Sequence, residues 1–202
     1  MEETKTKSSK NRISVAQEIF DWVETFCIAL TAVVLIFTFL CRFVTVDGNS
    51  MNETLHDKDR LIISDMYYTP KTGDIVVVHD TTEDMFRGPI IKRVIATAGE
   101  TVDIDFDTWT VTVTDTDGNV RVLDEEYVNF VEGSPMAKAN SIYYKHAVTE
   151  YPHVVADNCV FVMGDNRNNS LDSRYVGDID QRMILGKAYL RIFPLNAIGL
   201  VK

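Results

Sequence analysis

Three stretches of this sequence carry side chains that could act together in chemistry. The first is Asp47-Gly48-Asn49-Ser50-Met51. A serine hydroxyl is a weak nucleophile until a base accepts its proton. Gly48 permits a tight turn just before Ser50, and such a turn could aim the Ser50 backbone N–H at a developing oxyanion. Taken alone, a Gly-Asn-Ser turn is most often just a turn. The base must come from elsewhere. His56, His79, His146 and His153 stand in no recognisable catalytic setting; His79 precedes Asp80, but adjacent strand residues face opposite ways.

Lys92 is the alternative base. It lies in an otherwise apolar strand, Ile90-Ile91-Lys92-Arg93-Val94-Ile95. Alternation sends Lys92 and Arg93 to opposite faces, so one is expected to face solvent and the other the interior. Burial disfavours an ammonium and lowers its pKa, and only the neutral amine can accept a proton from Ser50. The competing reading is a solvated strand lysine whose stem lies along the edge. The third stretch, Gly164-Asp165-Asn166-Arg167-Asn168-Asn169-Ser170-Leu171-Asp172-Ser173-Arg174, is dense in short hydrogen-bonding side chains. Such a loop can orient an amine through a hydroxyl and hold its own shape by an Asp–Arg pair. A solvated Asx-rich loop is the plainer alternative.

The elements around these residues can be read from periodicity. Residues 1–20 are expected to be a cytoplasmic tail; Lys5, Lys7, Lys10 and Arg12 outweigh Glu2 and Glu3 there. Residues 21–44 are expected to be a transmembrane helix, with no charge from Phe26 to Cys41. The basic residues precede the span, which places the N-terminus in the cytoplasm and everything after Val44 outside. A cleaved signal peptide would have a shorter apolar core and a small-x-small cleavage site. After the span, strands dominate: Arg60–Ser64, Asp74–Val78, Pro89–Ile95, Thr101–Asp105, Thr108–Thr114, Val120–Leu123 with a hairpin turn at Asp117-Gly118-Asn119, Cys159–Met163 and Leu185–Ile192. Segments 45–104 and 157–202 form one β core, and 105–156 a smaller β insertion with long loops. The fold class is mainly β, with a barrel-like or folded-sheet architecture.

Composition narrows the function. A net charge of −10 argues against nucleic acid, which is bound through Lys and Arg. The three cysteines give no disulfide framework. Cys27 and Cys41 fall inside the apolar run, and Cys159, beside Val160-Phe161-Val162-Met163, reads as a buried structural thiol. Met51, Tyr67, Tyr68 and Phe86 are candidates for an apolar surface dipping into the membrane interface, with ordinary core packing as the equal alternative.

Together the three stretches resemble the type I (leader) signal peptidases, the bacterial Ser-Lys membrane proteases. The resemblance runs through Gly48-Asn49-Ser50-Met51 with Thr54-Leu55, Gly73-Asp74-Ile75-Val76, Lys92-Arg93-Val94-Ile95 with Gly99, and Gly164 to Arg174. It implies Ser50 as nucleophile, its amide as oxyanion donor, and Lys92 as general base. Ser170 matches the serine that positions the lysine. Asp172 and Arg174 match the pair that stabilises the site, with Gly164, Asp165 and Asn166 in support. Val46 and Ile91 fall at the small substrate pockets, and Met51 is placed with them. Glu53, Ala96, Ala98, Glu100 and Asn168 depart from the family pattern. So does Gly48, where some relatives supply a serine hydroxyl to the oxyanion hole.

The implied function is a membrane-anchored serine endopeptidase. It removes N-terminal signal peptides from exported preproteins after small residues, through an acyl-enzyme, with no metal or organic cofactor. The implied partners are preprotein signal peptides and the lipid bilayer. A self-cleaving repressor-type protease would carry a DNA-binding module in place of the span. A silent tethered binding domain would lack Ser50 or Lys92, and a Ser-His signal peptidase would not have Lys92 at the base position.

Overall fold

An apolar run with no polar face folds as a helix, because a helix satisfies every backbone group within the segment. The computed structural model describes residues 15–39, 42–80, 86, 88–139 and 144–202; most of the expected cytoplasmic tail lies outside them. The helix is α1, Val15–Phe39. Val15–Ile36 reaches a mean hydropathy of 2.0 and is long and apolar enough to cross a membrane. Its Thr25 and Thr31 hydroxyls donate to the carbonyls of Asp21 and Cys27, each at 2.8 Å, so these polar groups are satisfied inside the helix.

The helix starts earlier and stops earlier than hydropathy suggested. Arg42–Thr45, which hydropathy assigned to the end of the span, is strand β1. It pairs antiparallel with β2, Arg60–Ser64, from Arg42↔Ile63 to Thr45↔Arg60. Hydropathy measures apolar content and is blind to such a partner. The chain accordingly divides into a unit ending at Leu40 and a unit from Cys41 to Lys202.

The second unit is built from two antiparallel sheets. The remaining strands are β3 Ile75–Val78, β4 Ile90–Thr97, β5 Thr101–Asp105, β6 Thr110–Thr114, β7 Val120–Val122, β8 His153–Val154, β9 Cys159–Met163, β10 Ile179–Asp180, β11 Ile184–Phe193 and β12 Gly199–Leu200. The larger sheet has the order β1-β2-β11-β3-β4-β9-β10, with β12 on β11; the smaller has the order β7-β6-β5-β8. The smaller sheet thus begins at Thr101, ahead of the boundary expected from the sequence. Asp117-Gly118-Asn119 turns β6 into β7 as expected, and Asp115 accepts from the backbone N–H groups of Asp117 and Asn119 at 2.9 Å each.

β3 and β4 lie mid-sheet with apolar side chains on both faces. Ile75 and Val77 join one core cluster with Val46, Met51, Leu55 and Ile91. Val76 and Val78 join another with Phe86, Val94 and Val162. A third cluster joins the two sheets: Ile95, Phe161 and Met163 pack against Val102, Ile104, Val111 and Val113. The expectation that either Lys92 or Arg93 faces solvent is therefore wrong. Lys92 is 2% exposed and Arg93 is 3%, because both faces of β4 are covered. Met51 and Phe86 likewise belong to the core rather than to a membrane-facing surface, whereas Tyr67 is fully out in solvent. Cys159 is half-buried rather than buried, and partial burial pushes its thiol pKa up.

Candidate active site

Ser50 sits where β1 runs into a turn. Gly48 takes φ +92° there, a conformation that glycine adopts without strain, and its N–H donates to the Asp57 carboxylate at 3.0 Å. Asp57 was not singled out from the sequence; this amide bond holds its carboxyl below the usual range. Met51 and Leu55 anchor the turn from beneath, each 1% exposed. Among the described residues the Ser50 N–H donates to no protein group, as an oxyanion donor requires.

Lys92 reaches Ser50 from the middle of β4. Its Nζ lies 2.8 Å from Ser50 Oγ and 2.8 Å from the Ile91 carbonyl. Burial lowers its pKa from 10.5 to about 8, although Asp172 and Asp165 pull the other way. A substantial fraction of the amine is therefore neutral near physiological pH. A cleft of about 450 Å³ opens beside the pair, within the size range of ligand sites. Val46, Met51 and Ile91 all line it, as do Phe43, Pro89 and Ile90.

The loop from Gly164 to Arg174 packs behind Ser50. The Asn166 N–H donates to the Ser50 carbonyl at 3.0 Å, and its side-chain amide to the Asn49 carbonyl at 3.1 Å. Asp165 takes two hydrogen bonds from Arg93, at 2.9 and 2.8 Å, and one from the Thr54 hydroxyl. Asp172 takes two from Arg174, both at 2.8 Å, and one from the Gly164 N–H at 3.0 Å. Asp172 also caps α2, Ser173–Val176, by accepting from the Arg174 N–H.

Ser170 is placed differently from the resemblance. The bonds of the Lys92 amine go to Ser50 and Ile91, and the buried Ser170 Oγ, which makes no hydrogen bond of ordinary geometry, stands near enough to the Asp172 carboxylate to help hold its pKa down. The Ser170 hydroxyl instead lies against Gly164, where a Cβ would meet it at 2.2 Å. The Asn168 departure has a local role. Its side chain accepts from the Ala137 N–H at 2.7 Å and donates to the Pro135 carbonyl at 3.3 Å. Glu100, another departure, accepts from the Thr97 N–H at 2.7 Å and pairs with Arg121 at 2.6 Å. Among the described residues no group of three or more His, Cys, Asp or Glu side chains could hold a metal ion.

The sequence matches the family described as signal peptidase, peptidase S26, over residues 19–193. The chain belongs to this family. Signal peptidase I of Bacillus amyloliquefaciens is 33% identical, covering 97% of this chain and 100% of that one. A probable signal peptidase I-2 of Synechocystis sp. is 33% identical, covering 89% and 77%. A solved signal peptidase I from Enterococcus faecalis V583 is 25% identical, with a TM-score of 0.44 over 59% of this chain and 97% of that one. As a member of the signal peptidase family, this chain is a serine endopeptidase.

Within this peptidase, two buried arginine–carboxylate pairs, Arg93–Asp165 and Arg174–Asp172, hold the loop. Full burial alone would raise the Asp172 pKa, yet the Arg174 guanidinium and the Gly164 amide hold it below 3.8. That stabilisation is complete above the ordinary value of 3.8 and is lost as pH falls below it. Asp172→Asn leaves the Arg174 guanidinium buried without its counter-charge. We expect this to cost about 3–5 kcal/mol in a denaturant titration; an unchanged midpoint would contradict the assignment.

Proposed function

We propose that this chain is a membrane-anchored signal peptidase in which Ser50 is the nucleophile and Lys92 the general base. The observation that carries the reading is the 2.8 Å approach of a buried lysine amine to Ser50 Oγ at the wall of a cleft. Ser50 Oγ attacks the carbonyl carbon of the scissile peptide bond while its proton passes to neutral Lys92 Nζ. The resulting oxyanion is stabilised by the Ser50 N–H. Collapse breaks the C–N bond, and the leaving amine takes its proton from Lys92. The acyl-enzyme is then attacked by a water that gives a proton to Lys92, and Ser50 Oγ recovers its proton as the ester bond breaks.

Ser170, Asp172, Arg174, Gly164, Asp165 and Asn166 serve as the frame of this pair. Val46, Ile91 and Met51 form apolar walls that accept small side chains before the cleaved bond. α1 spans the bilayer with its N-terminus in the cytoplasm, since the basic residues precede it. The β unit lies on the far side. Anchoring enzyme and preprotein in one bilayer raises their effective concentration.

The test is cleavage of a preprotein by the purified full chain in detergent, with mass spectrometry of the products. Ser50→Ala is expected to lower the rate by about a thousandfold or more. Cleavage by Ser50→Ala at the wild-type rate would end this reading.

A further inference from the structure

Arg167 is fully buried, and a buried guanidinium needs a counter-charge. Glu125 supplies it from the chain that follows β7, with Oε2 accepting from Nη1 at 3.0 Å and Oε1 accepting from Nη2. Arg167 Nε in turn donates to the Gly164 carbonyl at 3.1 Å. The Gly164 N–H is held by Asp172, so both of its polar groups are fixed. Gly164 packs against the Ser50 carbonyl closely enough that a Cβ on it would stand 2.5 Å away. Two residues after Glu125, the Tyr127 hydroxyl donates to Glu125 Oε1 at 3.0 Å, and its ring faces the Arg93 guanidinium at 3.8 Å. Glu125 and Tyr127 thus reach two of the arginines behind Ser50, Arg167 and Arg93.

We infer that Glu125, with Tyr127 beside it, is a positioning residue for cleavage, acting through Arg167 and Arg93 on the backbone that holds Ser50. The inference rests on the Ser50–Lys92 reading above. It touches neither substrate nor the reacting atoms. A displaced Gly164 moves the Ser50 carbonyl, and a shift of about 1 Å at a nucleophile can cost about a hundredfold in rate. Glu125 bonds to Arg167 and Tyr127, whereas the Lys92 amine bonds to Ser50 and Ile91, so the effect is geometric.

The experiment compares wild type, Glu125→Gln, Glu125→Asp, Tyr127→Phe and Ser50→Ala as full chains in detergent, with rates normalised to folded protein. For Glu125→Gln we expect kcat to fall about tenfold or more, KM to stay within about twofold, and the acid limb of the pH profile to stay in place. Glu125→Asp, which retains the carboxylate, should recover part of the loss. A kcat of Glu125→Gln within about twofold of wild type, or a loss confined to KM, overturns the inference. So does a shifted acid limb, which would mark an effect on the Lys92 charge. If Glu125→Gln does not fold, Tyr127→Phe decides. A drop in kcat of about threefold supports the inference, and an unchanged kcat overturns it. Activity surviving in Ser50→Ala overturns the underlying reading. A wild-type kcat in Glu125→Gln, with Ser50→Ala inactive, overturns only the role of Glu125.

Discussion

Lys92→Met is expected to slow cleavage by about a thousandfold or more while leaving the protein at least as stable at neutral pH. Methionine fills similar space but cannot accept the Ser50 proton. A positioned general base is worth about 10²–10⁴ in rate, and a nucleophile and its base act as one unit. The double variant Ser50→Ala/Lys92→Met should therefore be no slower than the slower single. The wild-type rate should rise with pH through about 8, where Lys92 loses its proton. Stability follows from the same shift. The folded-state value, about 8, lies below the ordinary 10.5, so the unfolded chain holds the proton more tightly. The resulting cost, about 3 kcal/mol, is fully present below pH about 8. It is relieved as pH rises toward 10.5. Lys92→Met removes this cost and loses two hydrogen bonds worth about 1 kcal/mol each. Its melting temperature at pH 7 should match or exceed that of wild type, and the balance should shift toward wild type on the alkaline side. Cleavage within tenfold of wild type, or a pH-independent wild-type rate, would show that Lys92 is not the base.

Gly164→Ala should be the most damaging single-methyl addition in the Gly164–Arg174 loop. The backbone conformation at Gly164 is open to any residue, so the obstacle is space. The new Cβ would stand 2.2 Å from Ser170 Oγ, 2.6 Å from Ser170 Cβ and 2.5 Å from the Ser50 carbonyl. The Ser170 side chain can turn away. The Ser50 carbonyl cannot, because the Asn166 N–H holds it at 3.0 Å. Overpacking of this kind costs about 1–3 kcal/mol, and displacing Ser50 should cost about a hundredfold in kcat. Adding Ser170→Gly removes the two side-chain clashes and leaves the backbone one. The double variant should therefore regain stability without regaining rate. Wild-type kcat in Gly164→Ala would mean that Ser50 tolerates the shift.

Where a strand has a water-facing side, its pattern is written in the chain, and Thr101–Asp105 alternates in the structure as it does in the sequence. β1 could not be read this way, because Arg42–Thr45 continues an apolar run and is a strand only by pairing with β2. The two-residue strands β8, β10 and β12 are too short to carry a period and exist through their partners. At the site, the density of chemistry-bearing residues marked Ser50, Lys92 and the Gly164–Arg174 loop. Nothing local marked Glu125, which lies in a stretch without pattern and matters only because Arg167 is brought to it.

By itself the sequence determined the apolar helix, the β-rich remainder and the three stretches from which a site can be proposed, since each depends on residue type, period or motif order. Tertiary structure alone decided that Arg93 is buried along with Lys92, that Ser170 lies against Gly164 rather than bonding to Lys92, and that Glu125 neutralises Arg167. Period and propensity describe what one segment prefers. The burial of a charge and the partner that compensates it depend on which strands stand beside β4 and on what covers its two faces.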